Sequence, residues 1–127
     1  MNPLWNKAAE AAEEAKALIG AEMPNGATSR AYYAAFTAAR ALLVDMIGCE
    51  EADLRRHAAV HKLFSEHVIK PGLVRADLGR ELRKLFAERA RADYTGSNVS
   101  LDRAKKALAF MDEFIAATAA LRPEKQL

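Results

Sequence analysis

The sequence predicts an all-α protein, an up-and-down bundle of four to five helices joined by short loops. Three observations point there. Hydrophobic residues make up 51% of the chain but aromatics only 7%, with alanine supplying much of the difference. Such a composition, poor in β-branched residues, favours helix because alanine loses no side-chain entropy on entering one. Apolar residues recur at helical spacing along most of the chain, and no stretch alternates at the strand period. Turn-forming Gly, Pro, Asn and Ser separate these periodic stretches. A chain of 127 residues with this pattern reads as one domain, 1–127, with a modest core.

The first helix starts after Asn2, with Pro3 in its first turn, and buries Trp5, Ala8, Ala12, Ala15 and Ile19 before Gly20 stops it. "GAEMPNGAT" reads as a loop, with Pro24, Asn25 and Gly26 as turn formers. The second helix runs from an N-cap at Thr28 or Ser29 to a C-cap at Gly48, on a stripe of Tyr32, Phe36, Ala39, Leu43 and Ile47. The third spans Ala52 to Val68, with Leu54, Ala58, His61, Leu63, Phe64 and Val68 toward the core, and Pro71 and Gly72 end it. The fourth runs from Asp77 to Asp93. After the turn "TGSNVS", Ser100 caps a fifth that continues to Leu121. This last helix has two apolar stripes, one through Leu101, Ala104, Leu108, Met111, Ile115 and Ala119, the other through Ala107, Phe110, Phe114, Ala117 and Leu121. So wide an apolar surface buries on two sides, which puts the helix at the bundle centre or one stripe against a second subunit. A homodimer is the expectation, since a chain of this size has limited capacity to bury both.

No apolar run approaches the roughly 20 residues a bilayer span needs. The N-terminal "MNPLWNKAAEAAEEAK" has acids where a signal peptide has a basic and then an apolar region. The expected location is cytoplasmic, with no membrane role. Cys49 is the only cysteine, so no internal disulfide forms. The net charge of +2 is no footprint for non-specific DNA binding, but it is unevenly spread. Residues 52–91 hold ten basic and five acidic side chains, +5 against −3 for the rest, and all three histidines. A basic middle suits an anionic ligand such as a nucleotide or RNA; solvated faces laced with ion pairs give the same pattern.

On the fourth helix the stripe of Leu78, Leu82, Leu85 and Phe86 runs on into Arg89 and Asp93, followed by Tyr94. Either the helix leaves the core there or a polar site opens. Arg89 and Asp93 are spaced i, i+4; an Arg fork held by an Asp presents donors that suit a phosphate, and the same pair also serves to close a bundle end. The second helix is of the same mixed kind, with Tyr33, Thr37 and Arg40 in a row beside its apolar stripe. His57 and His61 have a spacing found in zinc sites, but "HAAVH" lacks the Glu of a zincin, and Cys49 and His67 have no ligand-like spacing to them. No metal or cofactor is expected. The chain has neither a Gly-rich phosphate loop nor a nucleophile elbow.

"SRAYYAAFTAARALL", then "HAAVHKLFSEHVIKPG", then "ERARADYTGSNVSLDRAKKALAFMDEFI", in that order, resemble the HEPN-domain family, in its short stand-alone prokaryotic branch. The resemblance implies a four- or five-helix bundle, a homodimer, and a site in a groove near the dimer interface. It implies a role in RNA or nucleotide binding within a toxin–antitoxin or defence pair, often beside a minimal nucleotidyltransferase as antitoxin. Many members are metal-independent endoribonucleases. Others bind without cleaving, and the alternative here is a non-catalytic bundle that docks the nucleotidyltransferase. The family's ribonuclease motif is Arg, four to six residues, then His. Arg89 matches the Arg, but Tyr94, Thr95 and Gly96 stand where the His belongs; counting from Arg91 gives Gly96, Ser97 and Asn98. Arg56 to His61 fits the spacing, but on the third helix. Metal-free RNA cleavage needs a base, an acid and a cation on the phosphate. Arg89 supplies the cation; a tyrosine with a reference pKa of about 10 is a poor base near neutrality. Catalysis is therefore lost, or His57 supplies it from the third helix. The expected site is Arg89 and His57 as catalytic pair, with Asp93, Tyr94, Tyr33 and Arg40 around the anion.

Overall fold

The computed structural model describes residues 2–48 and 54–123, and these form five helices. They are α1 (Leu4–Gly20), α2 (Pro24–Ile47), α3 (His57–Phe64), α4 (Asp77–Tyr94) and α5 (Leu101–Ala119), with no strand among the described residues. The start expected for the third helix, at Ala52, lies outside the described residues. α3 runs on as a π-helical turn, Ser65–Ile69, in which Lys70 N–H donates to Ser65 O at 2.9 Å.

The bundle is organised around α2, which packs against α1, α5, α4 and α3. Of the two places the sequence allowed for the fifth helix, the bundle centre is taken by α2 instead. α2 can take the middle because Ala27, Ala31, Ala34, Ala35, Ala38, Ala39 and Ala41 expose nothing, and side chains this small let four neighbours approach closely. Leu42 and Leu43 fill the space between them. α5 buries Ala104, Ala107, Leu108, Met111 and Phe114 against this scaffold, so both its stripes are used within the chain.

Element boundaries differ from the sequence reading at two places. α3 opens only at His57, after an extended Arg56 (φ −86°, ψ 129°), so Leu54, expected on that helix, is buried ahead of it. The link between α1 and α2 is only Ala21–Met23, because Pro24, already holding a helical φ, opens α2 at its first position. Gly26 is helical and lies under Leu18; a Cβ there would meet Leu18 Cδ1 at 3.3 Å. Thr28 is thus inside the helix and fully buried rather than a cap. Gly48 caps α2 at φ 69°, and Ser100 Oγ accepts from Arg103 N–H at 3.1 Å, as the sequence leads one to expect. On α3, Val60, Phe64 and Val68 face the core, His61 and Leu63 are half-buried, and Ala58 is exposed.

Three hydrogen bonds fix the ends of the bundle. Asp45 accepts from the Trp5 indole N–H at 2.8 Å and from Asn2 Nδ2 at 3.0 Å, pinning the start of α1 to the end of α2. At the opposite end, Asn25 Oδ1 accepts from Val99 N–H at 2.8 Å, so the start of α2 holds the loop before α5. The stretch of α2 from Ser29 to Arg40, the start of α3 and the last turns of α4 then enclose one groove.

Candidate functional site

The stripe of α4 buries Leu78, Leu82 and Leu85, leaves Phe86 half-buried, and passes directly into Arg89. Only 17% of the Arg89 side chain is exposed. Its guanidinium lies 5.2 Å from the Tyr32 ring centroid and 5.4 Å from that of Phe86, within cation–π range. Asp93 Oδ2 accepts from Arg89 Nη1 at 3.4 Å, a long contact, and Arg89 Nε is buried with no partner. A guanidinium has five N–H donors, so this one has most of them unspent.

Beside it is a groove of about 320 Å³ lined by Ser29, Arg30, Tyr32, Tyr33, Phe36 and Arg40 of α2, Arg55, His57 of α3, and Arg89. Four arginines and no carboxylate are among these lining residues. The nearby acids are spent at its edges: Asp93 on Arg89, and Glu14 of α1 on Arg30 at 3.1 Å. Arg30 also lies 4.6 Å over the ring of Tyr33, which is 37% exposed at the rim. Arg40 is half-buried, and its Nε, like that of Arg89, is buried and without a partner.

At the back of the groove the Tyr32 hydroxyl and His57 Nδ1 are 2.7 Å apart. His57 is also packed into an aromatic cluster, 4.4 Å from Phe36, 4.9 Å from Phe86 and 5.6 Å from Tyr32 between centroids. Burial first, and then the positive charges of Arg89 and Arg40, lower the imidazole pKa below its ordinary value. Burial raises the Tyr32 phenol, with Arg89 opposing in part. With the phenol protonated and the imidazole neutral, Tyr32 O–H donates to His57 Nδ1 when the ring proton sits on Nε2, and Nδ1–H donates to the phenol oxygen in the other tautomer. His61, one turn on, packs 6.2 Å from Phe36 and 6.0 Å from Phe86 and is pushed down to about 4, by burial first and then by Arg83 and His57.

Of the residues the sequence singles out, Arg89, His57, Tyr33 and Arg40 meet in this groove, and Asp93 reaches it through Arg89. Tyr94 is 79% exposed and is not among the lining residues. Thr37, expected in a polar row with Tyr33 and Arg40, is fully buried, so of that row only Tyr33 and Arg40 line the site. Among the described residues no three His, Cys, Asp or Glu side chains gather as metal ligands; Cys49 lies outside them.

Tyr32 and Phe36 were legible as core, and their part in the groove was missed, as were Arg30 and Arg55. A signal existed. Tyr32, Phe36 and Arg40 follow each other at i, i+4 and i+8, an aromatic stripe running into an arginine as Leu82 and Phe86 run into Arg89. The arrangement can hold a phosphate between two guanidinium groups and offer aromatic faces to an adjoining base.

The chain matches the family model described as "HEPN domain" over residues 1–121. A protein of Methanocaldococcus jannaschii named "Putative toxin MJ0605" is 31% identical over 110 residues, covering 84% of this chain and 79% of that one. A "UPF0332 protein" of Thermotoga maritima is 31% identical over 91 residues, covering 71% and 66%. A second Methanocaldococcus jannaschii protein, named "Putative toxin MJ0142", is 29% identical over 94 residues, covering 74% and 61%.

Proposed function

The chain belongs to the HEPN-domain family, and from that premise we propose that it is the RNA- or nucleotide-binding module of a toxin-type pair, with the arginine groove as its phosphate site. One observation supports this above others: four arginines line an aromatic-walled groove without a lining carboxylate, and three of them, Arg30, Arg40 and Arg89, have buried Nε atoms with no partner. Unpaired buried donors cost stability unless something occupies them, and a phosphate oxygen does so well.

Within this reading Arg89 and Arg40 grip the phosphate, Tyr33 offers a stacking face at the rim, and Asp93 orients Arg89. Cleavage is weakened or lost. His57 is the one imidazole in the groove; with Tyr32 O–H donating to its Nδ1 the ring proton sits on Nε2, and it then acts at a 2′-hydroxyl only by changing tautomer. The reading extends, on the family resemblance, to a homodimer and to a minimal nucleotidyltransferase as antitoxin. Relatives named as toxins support the toxin-type setting.

The test is an RNA-binding and RNA-cleavage assay with chelator present. Wild type should bind single-stranded RNA and cleave it slowly or not at all, and Arg40→Ala should bind it more weakly. Failure of the wild-type protein to bind RNA or nucleotide would refute the proposal. Fast chelator-resistant cleavage would correct its catalytic part and leave the groove in place.

A further inference from the structure

We propose that the groove binds its anion together with one proton taken up by His57, and that Tyr32 is the positioning residue for this exchange, its hydroxyl turning from donor to acceptor. The proposal rests on the anion-binding reading above and specifies how that site works.

The geometry surrounds the His57 ring with cations and one hydroxyl. On α2 it faces Tyr32, at 2.7 Å from Nδ1, and Arg40; on α4 it faces Arg89; on its own helix His61 follows one turn later; Arg55 lines the groove from the preceding segment. Asp93 is turned to Arg89. In the empty groove a charged imidazolium would stand among guanidinium groups, so the ring stays neutral and accepts from Tyr32. An anion held by Arg89 and Arg40 offsets their field at the ring. The ring then accepts a proton at Nδ1, and that N–H donates to the Tyr32 oxygen. Nε2–H is the donor left for the anion. A phenol suits this role because one oxygen both donates and accepts. One anion and one proton bind, and no other bond forms or breaks.

The lowering of His57 by burial, Arg89 and Arg40 agrees with this, since an anion opposes the last two causes. The sign follows. A group whose pKa is higher in the complex than in the free protein favours binding at low pH, and that advantage is lost as pH rises through the bound-state value.

Calorimetry with a 2′-O-methyl RNA oligonucleotide, which cannot be cleaved through its 2′-oxygen and whose phosphodiesters stay ionised, tests it in buffers of different ionisation enthalpy. Wild type should take up close to one proton per site near the midpoint. Its affinity should rise by up to about tenfold per unit fall in pH across the window between the two His57 values. His57→Asn should flatten the profile. Tyr32→Phe keeps the ring but should lose most of the uptake; full uptake in that variant would remove Tyr32 from the account. Should Tyr32→Phe fail to fold, an NMR titration of His57 in wild type decides, and a midpoint unmoved by the oligonucleotide refutes the proposal. Binding with no proton uptake overturns this inference and leaves the groove intact. No binding at any pH overturns the groove reading, and this inference with it.

Discussion

At Arg89 a guanidinium with 17% of its side chain exposed rests on the rings of Tyr32 and Phe86, while Asp93 touches it at 3.4 Å. Packing on aromatic carbon fixes the group without consuming its donors, which is what an anion site requires. Asp93 is the more open partner, at 32%. Asp93→Ala should therefore cost at most about 1 kcal/mol of stability and weaken RNA binding only mildly, because it orients the cation and does not touch the anion. Melting curves and titrations on one sample check both. A loss of about 3–5 kcal/mol, shared by Arg89→Ala, would mark the pair as structural instead. His61 carries a pH prediction. Its pKa falls from 6.5 unfolded to about 4 folded, so the unfolded chain binds more protons between these values. Stability is then full above 6.5 and is lost as pH falls toward 4. The effect is on the order of 1 kcal/mol once discounted for residual solvent screening. His61→Gln should flatten that acid limb in melting curves; an unchanged limb would contradict it. The sequence displayed Arg89, Asp93, Tyr33, Arg40 and His57 as site candidates because polar groups interrupted apolar stripes. It hid Tyr32 because a tyrosine on such a stripe belongs to the core, and at 2% exposure this one does. Only its bond to a histidine 25 residues away gives the hydroxyl a task.

Two helix ends show the same hydrogen-bond pattern built on different residues. After the π-turn, Gly72 N–H donates to Ile69 O and Leu73 N–H to Val68 O, with Gly72 at φ 79°. After α1, Glu22 N–H donates to Ile19 O and Met23 N–H to Leu18 O, with Glu22 at φ 57°. Both are Schellman caps, and the left-handed residue of such a cap is ordinarily glycine. Glu22 bears a Cβ there, at a cost of about 1–2 kcal/mol, part of which glycine gives back as backbone entropy. Glu22→Gly should raise stability by up to about 1 kcal/mol and the melting temperature by a few degrees. A lower melting temperature would contradict that assignment of strain. This cap explains one limit of the sequence reading. Gly20 marked the end of α1, but the sharp turn is made two residues later by a residue with no turn signature. The five helices themselves were legible, because each buries a stripe at helical spacing. Which of them is central was not. Width of apolar surface left α5 either at the centre or against a second subunit, whereas smallness of side chain decided for α2.

For the molecule as a whole, putting α2 in the middle changes the argument for assembly. Both stripes of α5 send residues into the core, with Leu101, Phe110, Ile115, Ala117, Ala119 and Leu121 half-buried, and the large exposed apolar residues, Met23, Tyr33, Met46, Leu73 and Tyr94, are scattered over several elements. Light scattering at ~10 µM should return twice the chain mass of 13.9 kDa; a monomer would refute the proposed homodimer. No described helix is long and apolar enough to cross a membrane. The same packing brings arginines from α2, α4 and the segment before α3 to one groove, though they are up to 59 residues apart in sequence from Arg30 to Arg89. Convergence of like charge at a stability cost is the central claim, and affinity for single-stranded RNA in Arg89→Ala, with a melting curve on the same protein, tests it most directly. The account predicts a folded variant whose affinity falls about ten- to a hundred-fold, the loss of one charge-assisted phosphate contact of about 1.5–3 kcal/mol. Equal binding by wild type and a well-folded Arg89→Ala protein would contradict it.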